Sequence, residues 1–450
     1  MKLLDPLFGW EAVDGIFSDP VRLQRMLDFE GALARAEARL GVIPQSAATA
    51  ISDRCRADLF DLESLARAAA QAGNLAIPMV KQLTDLVSQK EKEAARYVHW
   101  GATSQDAIDT GLVLQMRDAF DLIVTELHRL SELLVALADG HRTTSVAART
   151  WMQQAVPTVF GLKAAGWLDA ITRHRSRLQE VRERVLVVQF GGAAGSLASL
   201  GSRGMEVATG LAEELRLGAP DIPWHAHRDR VAEVATTLAL LTGTLGKVAR
   251  DISLQTQTEI AELFEPAAPG RGGSSTMPQK RNPVHCAAAL AAAYRVPGLA
   301  GTMLAAMPQE NERGLGGWHA EWETLPELVR LSAGALHHVV EAVQGLQIDV
   351  NRMRHNLKAT HGLVFAEAVA MSLGKYVGKA EAHRLIEQAS RKAASENKHL
   401  RDVLSADAEV TSHISTADLE KLFEPLNYRG AADEFIDRAI TASKASGERR

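Results

Sequence analysis

The stretch HAHRDRVAEVATTLALLTGTLGKVARDISLQTQTEIAELFE, residues 225–265, decides the fold class. Val234, Leu238, Leu241, Leu245, Val248 and Ile252 recur in steps of four and three, the apolar stripe of a bundle or coiled-coil helix. No proline interrupts the run, so one helix of up to about 40 residues and roughly 60 Å is allowed. Two shorter helices joined near Gly243 or Gly246 are the alternative, because glycine inside a helix costs only about 1 kcal/mol. The same rhythm continues through Gln255, Glu259 and Glu262, so the seam turns polar, as at a frayed surface end or along a wet cleft. A helix of such length points to a bundle that other helices join.

The rest of the chain agrees with an all-α fold. LVLQMRDAFDLIVTELHRLSELLVALADGH, residues 112–141, offers a second long periodic helix. PVRLQRMLDFEGALARAEARLG follows Ser18-Asp19, places Pro20 in a first turn and stops at Gly41, a complete set of start and stop signals. RVLVVQFGG, residues 184–192, is the best strand candidate, yet it continues a charge-rich helical pattern and is read as helix. Hydrophobic residues at 46% and charged residues at 23% are ordinary for a soluble globular chain. A net charge of -5 gives no basic surface for nucleic acid. Two cysteines, Cys55 and Cys286, are too few for a disulfide framework and suggest reduced thiols in a cytoplasm. No Cys/His cluster has zinc-ligand spacing, so neither metal nor other cofactor is expected. The acidic residues Asp5, Glu11 and Asp14 argue against a signal peptide, and the alanine-rich CAAALAAAY is too short to span a membrane.

One segment breaks the helical pattern. GRGGSSTMPQKRNP, residues 270–283, concentrates glycines, adjacent serines and a cationic pair, and is either a solvated linker or a working loop. Its glycines permit positive φ and close approach of amide groups to a ligand. Asn282-Pro283 reads as an N-cap and first turn, which puts Lys280 and Arg281 at the positive end of the next helix, where an anion is favoured. The spacing is not that of a P-loop. The chemistry it suits is stabilisation of a carboxylate whose α-carbon gains or loses a proton. Lys280, Asn282 and loop amides can hold the resulting dianion, and a serine can transfer the proton if those donors depress its pKa.

GSSTMPQKRNP matches every fixed position of the fumarase/aspartase superfamily signature, Gly-Ser-Ser-x-Met-Pro-x-Lys-x-Asn-Pro. YVHWGATSQDAIDTG resembles the first conserved block, with Thr103, Ser104 and Asp106 in its Thr-Ser-x-Asp pattern, and ARTWMQQAVPTVFGLKAAGW resembles the second. The likeness continues through HRDR, GKVARDISLQTQTEIAELFEP and RMRHNLKATHGLVFAEAVAM, so it covers nearly the whole chain. It implies three helical domains, residues 1–110, 111–346 and 347–450, the central one a long-helix bundle that carries the loop. It also implies a cytoplasmic homotetramer with active sites shared between subunits.

Within the superfamily, the second block discriminates. Adenylosuccinate lyases carry two histidines there, where this chain has Trp151 and Gln154; Gln154 cannot protonate a leaving nitrogen. Trp322 also replaces an arginine that helps those lyases hold a nucleotide. ARTW, WHAEWETLPE and SDPVRLQRMLDFEGALARAEARLGVIP instead resemble the bacterial 3-carboxy-cis,cis-muconate cycloisomerases. That resemblance implies lactonisation of a tricarboxylate, in which the substrate's own carboxylate is the nucleophile and a Trp at position 151 excludes water from the pocket. It makes Ser274 the proton-transfer residue, with Ser275 the alternative, and gives Lys280 and Asn282 to the enediolate. Thr103 and Ser104 would hydrogen-bond a carboxylate, and Arg313, Arg281 and Arg149 are the expected cations. His99 orients substrate or is structural, and Met277 lies within the substrate loop. Similar cycloisomerases carry His where this chain has Gln154, which leaves that position's role open and allows a shifted preference such as a sulfonated muconate. A C–N lyase releasing fumarate and a catalytically silent homologue are the rival readings.

Overall fold

The computed structural model describes residues 3–268, 270–273 and 276–448; Ser274 and Ser275 lie outside the described residues. The fold is all-α, with two small two-stranded antiparallel sheets among the described residues. The helices that position the site are α1 (Asp19–Arg39), α2 (Ser104–Gly140), α3 (Phe160–Val185), α4 (Asp229–Gln255), α5 (Val284–Ala305), α6 (Gly317–Gln344) and α7 (Val350–Leu357). One sheet is a hairpin of β1 (Ser145–Thr150) and β2 (Gln153–Val159); the other pairs β3 (Leu263–Phe264) with the sequence-distant β4 (Gln347–Ile348).

Helix α1 has the ends its sequence announces: Ser18 precedes it in extended backbone, Pro20 sits in its first turn, and Gly41 follows with φ of 72°. Helix α2, at 37 residues, is about 55 Å long. All six residues of the stripe on α4 are buried, which confirms the periodicity. The same helix is apolar enough by composition to cross a membrane, and the burial of that stripe accounts for it within the core. Its length departs from expectation. It spans 27 residues, not about 40, and neither Gly243 nor Gly246 breaks it. Gly246 is needed there because a Cβ would come within 2.6 Å of the Ala293 methyl on α5. Beyond Gln255 the chain turns through residues 256–262 into β3, so the polar continuation is not helical.

Two further readings are corrected. Residues 186–192 leave α3 in extended form, and Val187 forms a parallel bridge to Gly218. The β1–β2 hairpin has a two-residue turn, Trp151–Met152, with φ of 52° and 65°. Positive φ at both turn residues matches the right-handed twist of the flanking strands, but the usual residues there are Asn-Gly, so the turn carries no sequence signal.

The chain divides into two compact units. The first comprises Met1–Leu127, His174–Gly246 and Ala288–His338; the second comprises His128–Arg173, Lys247–Ala287 and Val339–Arg450. In the first, α4 and α6 are joined by Thr242 Oγ1 donating to Ser332 Oγ at 2.9 Å. A fully buried Arg228 ties α2 to α6 through Asp109, at 2.7 Å, and Glu321. Trp318 Nε1 donates to the same Asp109 at 2.9 Å. Such a charge is tolerable in the interior only because both carboxylates meet it directly. The second unit builds a separate core from Val369, Leu373, Leu385, Ile386, Leu400 and Leu404 of the C-terminal helices.

Candidate active site

Four expected site residues gather at the N-terminus of α2, in the first unit. The backbone N–H of Thr103 donates to Asp106 Oδ2 at 3.0 Å, the half of a capping box in which the third residue's side chain reaches back, and the N–H of Asp106 donates to the Thr103 carbonyl at 2.9 Å. Asp106 is fully buried and also accepts from Gly191 N–H, Gly192 N–H and His225 Nε2, at 3.0, 3.0 and 2.7 Å. One carboxylate therefore pins three separate segments around Thr103 and Ser104. The glycines are required here: a Cβ on Gly192, at φ of 68°, would stand 2.9 Å from the Gly101 carbonyl. Arg313 enters the same neighbourhood, donating through Nε to Gln105 Oε1 at 3.0 Å and to the Ala193 carbonyl at 3.2 Å. His99 sits just upstream with φ of 59° and Nδ1 2.6 Å from Glu30 Oε1. Burial works to lower the imidazole's pKa, but the Glu30 carboxylate, assisted by Asp106, outweighs it and raises the value.

The second unit holds the remaining expected residues in two groups. Arg149 and Gln154 face each other across the β1–β2 hairpin. Arg149 forms a bidentate pair with the buried Glu262, at 2.7 and 2.9 Å. Asn356 on α7 donates to Glu262 Oε1 at 2.8 Å, and Gln154 Nε2 donates to the Asn356 carbonyl at 3.1 Å. Gln154 Oε1 is buried without a hydrogen-bond partner among the described residues. Of the polar seam, Gln255 and Glu262 are buried, Glu262 as an internal anchor, while Glu259 is exposed. Lys163, at the start of α3, is held below the usual lysine range by burial, with Asp251, Lys247, Arg149 and Glu262 as its charged surroundings. Trp151 stands at the hairpin tip and is 98% exposed, so within one chain it walls no pocket.

The signature loop is closed at its base. Asn282 N–H donates to the Gly272 carbonyl at 2.9 Å, and a Cβ on Gly272, at φ of 66°, would lie 2.5 Å from the Asn282 carbonyl. Arg281 stacks over Phe264 at 5.1 Å and donates to Gln347 Oε1 and the Glu265 carbonyl. The start of α5 differs from expectation. Its free amides at His285 and Cys286 donate to the Glu265 carboxylate, at 3.1 and 2.7 Å, so Glu265 rather than Asn282 caps the helix. The anion favoured at that positive end is supplied by the chain itself. Lys280 and Met277 are exposed on the loop.

Of the expected cations, then, Arg149 and Arg281 are engaged in holding the hairpin and the loop. Among the described residues, none anchors the exposed Lys280 in this way. Glu30, Glu262, Glu265 and Asn356 support these residues; Glu30, Glu265 and Asn356 lie in matched motifs, but no residue pattern singled them out.

An all-α scaffold whose sequence carries the Gly-Ser-Ser signature with Lys280 and Asn282, and whose Thr103–Ser104 pair opens a long helix held by Asp106, is that of a lyase-type enzyme. Residues 10–298 match the family model described as "Lyase", and residues 362–439 match that of the adenylosuccinate lyase C-terminus. The 3-carboxy-cis,cis-muconate cycloisomerase of Pseudomonas aeruginosa is 53% identical over 446 residues, 99% of this chain and 97% of that protein. The crystal structure of the 3-carboxy-cis,cis-muconate lactonizing enzyme from Pseudomonas putida superposes with a TM-score of 0.95, at 51% identity, covering 99% of this chain and all of that one. The β-carboxy-cis,cis-muconate cycloisomerase structure from Acinetobacter calcoaceticus gives 0.93 at 43% identity, covering 98% and 100%. The chain belongs to this lyase family, the fumarase/aspartase superfamily, and within it to the 3-carboxy-cis,cis-muconate cycloisomerases.

Proposed function

We propose that the protein is an enzyme that converts 3-carboxy-cis,cis-muconate to 4-carboxymuconolactone, a step of protocatechuate catabolism. A substrate carboxylate attacks an alkene carbon, the C–O bond forms, and the adjacent carbon takes up a proton, so the reaction is an isomerisation with no group lost. The observation that carries this reading is the second block. Trp151 stands, as in the similar cycloisomerases, where adenylosuccinate lyases carry a histidine, whereas Gln154, which departs from both groups, is engaged with the Asn356 carbonyl. An internal carboxylate nucleophile needs no such base. The full-length likeness to cycloisomerases supports the same conclusion.

In this reading Ser274 delivers the proton, and Lys280 and Asn282 hold the carboxylate that becomes the enediolate. Thr103, Ser104, His99 and Arg313 bind the other carboxylates. Arg149 and Arg281 act from behind, fixing the hairpin and the loop. The protein acts as a cytoplasmic homotetramer whose sites combine residues of different copies. The exposed face of α5 supports assembly: Tyr294 and Leu304 are 75% and 48% exposed, beside exposed Gly298 and Gly301, an apolar surface with small residues that admit a close neighbour. Trp151 gains its expected water-excluding role only against another copy.

The test follows the conjugated-diene absorbance of 3-carboxy-cis,cis-muconate, with adenylosuccinate in parallel. Diene loss by the protein that falls at least about 100-fold in Ser274→Ala is expected, the scale of a lost acid–base group. Turnover of adenylosuccinate alone would overturn the reading.

A further inference from the structure

His99 combines features that binding alone does not require. Its backbone lies at φ of 59°, a region that non-glycine residues adopt at a cost, and the next loop position, Gly101, is at 73°. A Cβ on Gly101 would strike Leu200 at 2.8 Å, so this turn is fixed by packing. From α1, the Glu30 carboxylate is fully buried and meets Nδ1 at 2.6 Å, while its Oε2 has no hydrogen-bond partner among the described residues. The His99 side chain retains 16% exposure, and among the described residues no group bonds its Nε2. The ring is therefore held from behind and open in front, on the same end of α2 as Thr103, Ser104 and Arg313.

We propose that Glu30 is a positioning residue for the reaction: it grips Nδ1 so that a protonated His99 presents its Nε2–H to a carboxylate of the bound tricarboxylate. The inference rests on the proposed function for the identity of the ligand. The charged groups facing His99 are Glu30 from α1 and Asp106 from α2; Asp106 is itself paired with His225. Glu30 is faced in turn by Glu37 and Cys55, both driven towards their neutral forms by burial and by Glu30 itself. The net field at the ring is negative, which favours the imidazolium. A neutral His99 would offer a substrate carboxylate one weaker donor, or a repelling lone pair, depending on its tautomer.

The experiment measures kcat and KM for 3-carboxy-cis,cis-muconate between pH 6 and pH 9 in the wild type, Glu30→Gln and His99→Gln. Glu30→Gln is expected to move the alkaline rise in KM down by at least about one pH unit, since a carboxylate neighbour shifts a pKa by that much or more. At pH 8 its KM rises about tenfold, the equivalent of one lost pH unit, with kcat within about threefold, and lowering the pH to 6 restores the KM. In a His99→Gln background the Glu30 change adds nothing. An equal loss at every pH, accompanied by a lower melting temperature, would show a merely structural pair and overturn the proposal. If Glu30→Gln does not fold, the His99 ring titration in ring-labelled wild type decides, assigned by its absence in His99→Gln. A midpoint above the ordinary value of about 6.5 supports the proposal, and one at or below it overturns it. If wild type leaves the muconate untouched, the functional reading fails, while the titration still judges the pair.

Discussion

The N-terminus of α2 and the tip of the β1–β2 hairpin both carry expected site residues, and they are held in opposite ways. At the helix, Asp106 gathers four donors into the interior and fixes Thr103, Ser104 and their glycine neighbours. At the hairpin, the base is locked by Arg149 and Glu262, but the tip offers Trp151 and Met152, 98% and 71% exposed, on two positive-φ residues. A strained turn that aims an apolar pair at solvent is stable only because the base of the hairpin over-determines it. The first region is buried and hydrogen-bonded within one chain; the tip of the second is left exposed.

The contrast can be broken most forcefully at Asp106. Asp106→Ala strands three backbone N–H groups and His225, at about 1–3 kcal/mol for each buried donor, so a loss of about 5 kcal/mol or failure to fold is expected in urea titration. A near-normal unfolding midpoint would mean the carboxylate does not organise that end of α2. Lys280→Met should leave the melting temperature unchanged, because the side chain is exposed, and lower kcat/KM by about 100- to 1,000-fold, the scale of a lost oxyanion donor. Glu262→Gln leaves Arg149 with a neutral partner and should destabilise by about 2 kcal/mol, less than the charge-assisted cluster at Asp106.

The interior of the first unit offers a pH test. Burial, helped by the Glu30 charge, pushes Glu37 up to about 9, and neither of its carboxyl oxygens has a hydrogen-bond partner among the described residues. The folded chain keeps that proton while the unfolded chain releases it above the ordinary carboxyl range. The contribution to stability is therefore complete at acid pH and declines as pH rises towards 9, by up to about 1.4 kcal/mol per pH unit. Glu37→Gln should flatten the decline and be the more stable protein at pH 8; an unchanged slope would show Glu37 ionised in the folded state. The smallest expected effect on stability is at the hairpin tip. Trp151→Ala should shift the unfolding free energy by less than about 0.5 kcal/mol, as for an exposed residue, while lowering diene turnover by about tenfold or more.

How much of this was legible in the sequence follows the same divide. Local signals read well: the Ser18–Pro20 start and Gly41 stop of α1, and the buried stripe of α4, are written in neighbouring residues. The end of α4 was not, because Gln255 to Glu262 are acceptable helix formers and only tertiary contacts turn the chain there. The β1–β2 hairpin was hidden because Trp-Met occupies a turn that usually announces itself with Asn-Gly. The loop motif named its chemistry, yet not its supports. Glu262 lies 113 positions from Arg149 and Glu30 lies 69 from His99, and no local pattern reports which buried acid will meet which base. Asn282 looked like the cap of α5 because its type and spacing fit, but Glu265, brought in by β3, reaches those amides instead.

The most direct test of the account combines the two halves. Two folded variants, Arg313→Met in the first unit and Lys280→Met in the second, are each assayed for loss of 3-carboxy-cis,cis-muconate absorbance, then co-expressed and assayed as a mixture. If one site takes its α2 end and its loop from different copies, random mixing restores intact sites, and roughly a quarter of wild-type diene turnover should return. A mixture no more active than the mean of its parents would contradict the account.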